Sequence, residues 1–285
     1  MSNDQKSVNR FSKNYIEFHE RIFNVQLKCM QHLIAVLPFQ KLNSIDVIAR
    51  LSNKLPLLSS EEILIEDKNL ETIFDFIFPI LKKYSFHHRD QFAKLEELND
   101  RRKFSLKVLV LWLVNHDKHT IENLAQKLHV SSQILELVGE LIGGPYLELS
   151  AEYFTKKLSQ FHWREPFCPI CGNLPSMAKT SERDNVKTLW CRFCDTSWTF
   201  FDKICPFCMN ANGETQKIIF LPNGRPFRIE ACDKCKNYLK TVDSRMAMEE
   251  INFSVVNIAT YYLDLLAKRH GYHLNSYFKF YFDAN

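Results

Sequence analysis

Residues 168–171 read Cys-Pro-Ile-Cys, and the same Cys-x-x-Cys spacing returns three times before residue 236. The four pairs contain eight of the chain's nine cysteines: Cys168 and Cys171, Cys191 and Cys194, Cys205 and Cys208, and Cys232 and Cys235. Each pair forms a tight turn, here called a knuckle, that presents two sulfurs to one side. Four knuckles therefore predict two tetrahedral metal sites in which all eight cysteines are ligands.

The alternative for closely spaced cysteines is a disulfide framework, which is typical of small secreted domains. The first residues, MSNDQKSVNRFSKNYIEF, contain no apolar core of a signal peptide. We therefore expect a cytoplasmic protein whose thiols stay reduced and bind metal. The longest apolar run, residues 108–114, is far shorter than the ~20 residues of a membrane span, so we expect no membrane insertion.

The spacing favours one pairing of the knuckles without deciding it, and it does not indicate which metal they bind. Sequential pairing, with residues 168–194 in one site and 205–235 in the other, would give two tandem zinc-ribbon or rubredoxin-like modules. Interleaved and nested pairings remain open from the sequence. All-sulfur coordination suits two ions of iron or zinc, each bound by four cysteines. Because such a site has no open position for substrate, we expect no enzyme.

The residue after the second cysteine of a knuckle often needs a positive φ. Gly172 adopts such a φ easily and Asp195 tolerably, whereas Met209 and Lys236 fit it less well. We therefore expect a somewhat different turn geometry at the second site.

Apolar periodicity divides the chain into three parts. Residues 1–160 read as a helical bundle, with a first stripe of Tyr15, Phe18, Ile22, Val25, Cys29, Leu33 and Val36, a shorter stripe before Pro79, and Gly143-Gly144-Pro145 as a break. Residues 161–245 have short apolar runs between knuckles, which predict a small metal-stabilised β domain. Residues 246–285 predict a C-terminal helix that packs on the rest, with one face formed by Met248, Ile251, Val255, Ile258, Tyr262 and Leu265.

Several weaker signals have ordinary interpretations. Cys29 lies on an apolar stripe and is expected to be a buried thiol, and His87, His88, His116 and His119 are expected at the surface or in loops. Trp163, Trp190 and Trp198 are expected to pack around the knuckles. Residues 120–138 resemble a helix-turn-helix, but the candidate recognition helix contains Glu136 and Glu140 and neither Lys nor Arg, which argues against DNA binding.

The charge distribution also argues against a nucleic-acid partner. The formal net charge is +4, and residues 161–245, with 13 Lys or Arg and 9 Asp or Glu, account for all of it. Two divalent ions bound by eight thiolates would cancel this excess. Little basic surface would then remain to attract a polyanion.

From residue 164 onward the chain resembles the formate dehydrogenase accessory protein family of the FdhE type. The matching stretches are PFCPICG at 166–172, LWCRFC at 189–194 followed by Trp198, CPFC at 205–208, EACDKCKNYLKTVD at 230–243, and ATYYLDLLA at 259–267 followed by Gly271-Tyr272. The resemblance implies a helical domain joined to two rubredoxin-like modules. It also implies a cytoplasmic factor that binds the catalytic subunit of a respiratory, molybdenum-containing formate dehydrogenase during maturation.

Two features of the matching region bear on that partner. Val256-Asn257 stand where the family pattern has an acidic pair. The affinity for the bound catalytic subunit, here called the client, and the identity of that client are therefore open. Within 230–243, five charged residues are not needed as metal ligands, and they are expected to form a client surface or a solvated rim: Glu230, Asp233, Lys234, Lys236 and Lys240. The competing functions are a rubredoxin-like electron carrier and, less favoured, a nucleic-acid binder.

Overall fold

The computed structural model describes residues 13–84, 88–115, 117–180, 186–220, 226–243 and 251–273. Within these ranges the chain divides into two compact units. The helical unit comprises residues 13–47 and 57–155, and the sheet unit comprises residues 48–56 and 156–273. The fold class expected from the sequence is confirmed: a helical N-terminal region precedes a sheet region with two four-cysteine clusters and C-terminal helices.

Seven α-helices precede the first strand among the described residues: α1 (Lys13–Val36), α2 (Val47–Ser52), α3 (Asp67–Tyr84), α4 (Arg89–Asp100), α5 (Lys107–Asn115), α6 (Lys118–Leu128) and α7 (Ser132–Leu158). The α1 stripe is confirmed in its centre, because Tyr15, Phe18, Ile22, Cys29 and Leu33 are buried. Val25 is half-buried and Val36 is exposed. Each such apolar side chain contributes about 1.5–3 kcal/mol when it is fully buried.

The expected break at Gly143-Gly144-Pro145 was wrong, because α7 runs through all three residues and buries them. Gly143, and Gly139 one turn earlier, let α7 pack closely against α5. A Cβ atom added at Gly143 would lie 2.7 Å from Leu113 Cδ1, and one at Gly139 would lie 3.1 Å from Leu109 Cβ. Pro145 lacks the backbone N–H that would donate within the helix. The burial of the α7 residues before and after it offsets this loss. Helix α3 likewise continues past Pro79.

The sheet unit contains one six-stranded sheet. Its strands are β1 (Met177–Thr180), β2 (Val186–Trp190), β3 (Ser197–Phe201), β4 (Gln216–Phe220), β5 (Phe227–Cys232) and β6 (Tyr238–Asp243), in the order β3-β2-β1-β6-β5-β4. Each half is an antiparallel three-stranded ribbon. A parallel pair, β1 with β6, joins the halves and sets Met177 opposite Lys240. The two tandem modules thus share one sheet.

Two short helices, α8 (Phe253–Ala259) and α9 (Tyr261–Arg269), cover one face of this sheet. The expected single helix was wrong, because the chain is interrupted at Thr260. Its expected stripe is confirmed in part: Ile251 and Tyr262 pack against the sheet, beside the buried Leu263 and Ala267, whereas Val255 and Leu265 are exposed. Met248 lies outside the described residues. No helix in the described ranges is both long enough and apolar enough to cross a membrane.

Candidate metal centres

The four knuckles have one backbone geometry. In each, the N–H of the first cysteine donates to the carbonyl of the residue five positions later, with N···O distances of 2.8, 2.9, 3.0 and 2.9 Å in chain order. The residue after the second cysteine has a positive φ in all four: 74° at Gly172 and 56–58° at Asp195, Met209 and Lys236. The expected difference between the two sites was therefore wrong. The repeated hydrogen bond offsets the ~1–2 kcal/mol that a left-handed conformation costs a residue with a Cβ atom.

The knuckles pair sequentially. Cys168, Cys171, Cys191 and Cys194 form the first cluster, in which the Sγ atoms of Cys168 and Cys194, of Cys171 and Cys191, and of Cys171 and Cys194 are 3.5 Å apart. Cys205, Cys208, Cys232 and Cys235 form the second cluster, with 3.8 Å between Cys205 and Cys235 and between Cys208 and Cys232.

These distances fit tetrahedral thiolate sites. A tetrahedron with metal–sulfur bonds of about 2.3 Å has sulfur–sulfur edges of about 3.8 Å. A disulfide would need about 2.05 Å, and all eight cysteines are free. The two clusters could therefore each hold one metal ion, and the chemistry of four sulfur donors suits iron or zinc equally.

Burial and hydrogen bonds shift the pKa values of several cysteine thiols away from their usual value. In the first cluster, burial raises the pKa values of Cys191 and Cys194 well above the usual value. At Cys171 the same burial is outweighed by hydrogen bonds from the other three cysteines and Asn173, which hold its pKa well below that value. Since a metal takes up thiolates, binding at such a cluster would release protons.

The second cluster differs from the first in exposure. All four cysteines of the first cluster are buried, whereas Cys208 and Cys235 of the second are half-buried. Burial opposes ionisation of Cys232, but backbone N–H groups of Cys235 and Lys234 lower its pKa to about 7. Solvent or a partner molecule can therefore approach the second cluster more closely.

The three tryptophans pack around the knuckles, as expected. Trp163 Nε1 donates to the Phe167 carbonyl at 2.8 Å, and Trp198 Nε1 donates to the Glu165 carbonyl at 3.0 Å. Trp190 Nε1 donates to Asp195 Oδ1 at 2.6 Å. All three rings are buried, so they brace the first cluster and leave no exposed stacking surface.

The remaining signals lie away from these clusters. Cys29 is buried in α1, and burial raises its pKa to about 12. His119 is exposed and His88 is half-buried at the start of α4, whereas His87 and His116 lie outside the described residues. The helix-turn-helix candidate consists of α6, a turn with a positive φ at His129, and α7. Residues 134–138 of α7 are buried, so they present no face to a DNA groove.

Two of the five charged residues that could have formed a client surface are structural. Lys240 is 2% exposed, and its Nζ donates to Asp264 Oδ2 at 2.9 Å and to the Asn257 carbonyl at 2.7 Å. Glu230 is paired with Lys187 at 2.7 Å and with Arg228 at 2.8 Å. Asp233 and Lys236 form a surface pair, and Lys234 is exposed. The sequence could not reveal the burial of Lys240, because its partners lie on another element.

Comparison with known proteins gives a consistent result. No protein-family model matches the chain. The "Protein FdhE homolog" of Aquifex aeolicus (strain VF5) is 27% identical over 45% of this chain. That match spans just under half of the relative, 46% of its length. The crystal structure of the FdhE protein from Pseudomonas aeruginosa superposes with a TM-score of 0.58 over 94% of this chain and 95% of that one, at 15% identity. The two similar proteins are thus both FdhE proteins, and the second shares the fold of this chain over nearly its whole length.

Proposed function

We propose that this chain is an accessory protein for the maturation of a respiratory, molybdenum-containing formate dehydrogenase, and that it binds the catalytic subunit of that enzyme in the cytoplasm. The observation that carries the proposal is the gathering of eight cysteines into two closed clusters, in a chain with an FdhE relative. The matching segments at 166–172, 189–194, 205–208 and 230–243 all lie in the sheet unit.

The proposed role is not enzymatic. If all eight cysteines are ligands, each metal has four protein donors and no open position for a substrate or an activated water. The metals would instead hold the knuckles in place. The sheet unit has short strands, and structural zinc contributes about 10–16 kcal/mol of apparent binding free energy in small zinc domains.

The partial exposure of the second cluster favours one alternative function. An iron ion bound by Cys205, Cys208, Cys232 and Cys235 would lie near the half-buried sulfurs of Cys208 and Cys235. Such a site supplies a one-electron couple that a redox partner could reach. The alternative predicts visible colour and a reversible couple in the purified protein, whereas a zinc-loaded assembly factor would be colourless.

The proposal is tested by affinity capture from anaerobically grown cells, with metal analysis of the same sample. We expect the catalytic subunit of formate dehydrogenase to be captured together with two equivalents of metal. A matched variant, Cys29→Ser, changes the cysteine outside the clusters and should capture the subunit equally well. Loss of metal from Cys168→Ser or Cys232→Ser without any loss of metal from Cys29→Ser would support the ligand assignment. Absence of the subunit from the captured material, with full metal content, would contradict the maturation role.

A further inference from the structure

Strand β4 is an open edge of the sheet. Among the described residues it pairs with β5 on one side only. The backbone N–H of Asp233 bonds to the Thr215 carbonyl, and the N–H of Cys232 bonds to the Asn237 carbonyl on the other side of β5. Because bonded pairs alternate along an antiparallel ladder, Lys217 and Ile219 bond to β5, and the N–H and C=O groups of Ile218 and Phe220 point away from the sheet.

This edge has little of the usual protection against pairing, because Lys217 is the one charged residue of β4. Edge strands of soluble proteins generally carry charges, proline or bulges that discourage a further strand. Ile218 and Phe220 instead expose 51% and 67% of their surface, and they share one face of β4 because side chains alternate along a strand. That is the face opposite α8 and α9, since the intervening Ile219 packs against the cluster that contains Leu263 and Ala267.

A cavity of about 260 Å³ lies beside the exposed face of β4. Its walls are residues 204–207 of the third knuckle and residues 216–218 of β4, and its floor includes Arg228, Glu230 and Leu239. The charged residues in its lining are four bases, Lys187, Lys203, Lys217 and Arg228, and two acids, Asp202 and Glu230. Lys187 and Arg228 are already paired with Glu230, so the lining charges left for a partner are the exposed Lys203 and Lys217 against one acid, Asp202. These lysines lie next to an apolar strand edge with available backbone groups.

We propose that β4 and this cavity form a groove that binds one extended polypeptide segment with alternating apolar and acidic side chains. The segment would add as a further strand at β4, with its backbone bonded to Ile218 and Phe220, its apolar side chains against theirs, and an acidic side chain directed to the basic lining. The inference deepens the proposed function and rests on it in one respect: the segment is taken to come from the client. A second copy of this chain is a poorer occupant, because edge-to-edge pairing would set the same exposed lysines, Lys203 and Lys217, of two copies side by side.

The groove is tested with a fluorescein-labelled peptide that alternates valine and glutamate, and with the full-length, metal-loaded chain. We expect saturable binding by fluorescence anisotropy that weakens between about 0.1 M and about 1 M salt. Replacing the glutamates by lysine should abolish binding. Methylating the peptide amides that face β4 should weaken binding at least about tenfold, whereas methylating the amides on the other edge should not, since only the first set forms ladder bonds.

Two protein variants complete the test. Ile218→Pro removes a donor that β4 does not use for β5, a position at which edge strands accept proline, and Phe220→Asp leaves the backbone unchanged. Both should keep two equivalents of metal and lose peptide affinity at least about tenfold. The control Ile34→Asp, at an exposed apolar position of α1, should bind normally. Equal peptide affinity in Phe220→Asp and the unchanged chain would overturn the groove. A dimer of the unchanged chain that both variants convert to monomers would also overturn it, because a second copy would then occupy β4.

Client capture separates this inference from the proposed function. If formate dehydrogenase is captured equally well by Phe220→Asp, the groove as a client site is wrong while the accessory role stands. If the peptide binds and both variants reduce its affinity, the groove stands even where no formate dehydrogenase is captured.

Discussion

Replacing Lys240 by alanine is expected to weaken the attachment of the C-terminal helices to the sheet. Lys240 lies on β6 in the centre of the sheet, and burial lowers its pKa although the nearby Asp264 opposes that shift. Its ammonium group bonds to α9 through Asp264 and to α8 through the Asn257 carbonyl. Asp264 also accepts a hydrogen bond from the Tyr238 hydroxyl at 2.6 Å. The alanine variant leaves the Asp264 carboxylate without its cation.

The expected cost is large. Removing one partner of a buried ion pair destabilises a protein by about 3–5 kcal/mol, because the other charge remains buried. The Asp264 side chain is 18% exposed, so we expect the lower end, about 3 kcal/mol. Replacing both partners, as Lys240→Met with Asp264→Leu, should restore most of that stability, since an apolar pair needs no compensating charge.

Hydrogen exchange read by mass spectrometry measures this effect where it should occur. A loss of about 3 kcal/mol corresponds to roughly hundredfold faster exchange of the α9 amides. The matched control is Lys236→Ala, because Lys236 lies four residues earlier and is exposed, and its Nζ pairs with Asp233 and lies over the Tyr272 ring rather than bonding to α9. Exchange of the α9 amides should be unchanged in this variant. Equal protection of α9 in Lys240→Ala and the unchanged chain would refute the reasoning.

Three further predictions concern the metals and the helical unit. Cys168→Ser combined with Cys171→Ser should remove one equivalent of metal and leave one, by elemental analysis; loss of both would show that the halves cannot fold separately. A strong chelator should remove metal in two phases, first from the half-buried second cluster, and make the sheet unit protease-sensitive while the helical unit stays protected; a single phase would contradict this order. Burial lowers the pKa of His19 to about 4, so the helical unit should be stable above the unfolded value of about 6.5 and lose about 1–3 kcal/mol as pH falls towards 4; His19→Gln should reduce this loss in urea titrations, and an identical pH dependence would exclude His19 as its source.

The local features of the candidate sites could be predicted from the sequence, because they depend on residues a few positions apart. A Cys-x-x-Cys turn fixes two sulfurs through its own backbone, and its closing hydrogen bond spans five residues. The positive φ at Asp195, Met209 and Lys236 follows from the same turn. The turn therefore predicted this φ better than the conformational preference of each side chain did.

Features that depend on distant partners could not be predicted in the same way. The parallel pairing of β1 with β6 joins residues more than 60 positions apart, and no periodicity within either strand indicates it. Gly143 looks like a helix breaker until Leu113 of α5 is placed against it. Lys240 looks like a surface charge until Asp264 is placed beside it. In each case a tertiary contact outweighed a local preference.

The shared sheet gives its two halves different parts in the proposed function. The first half has the fully buried cluster and the three buried tryptophans, so among the described residues its sulfurs are shielded from solvent. The second half has the half-buried cysteines, the exposed pair Asp233 and Lys236, and the open edge at β4. Because β1 and β6 are bonded to each other, order imposed by metal in the first half extends through the sheet to β5 and β4. We therefore expect client contacts to concentrate in the second half, and metal loss from the first half to weaken them without touching a contact residue.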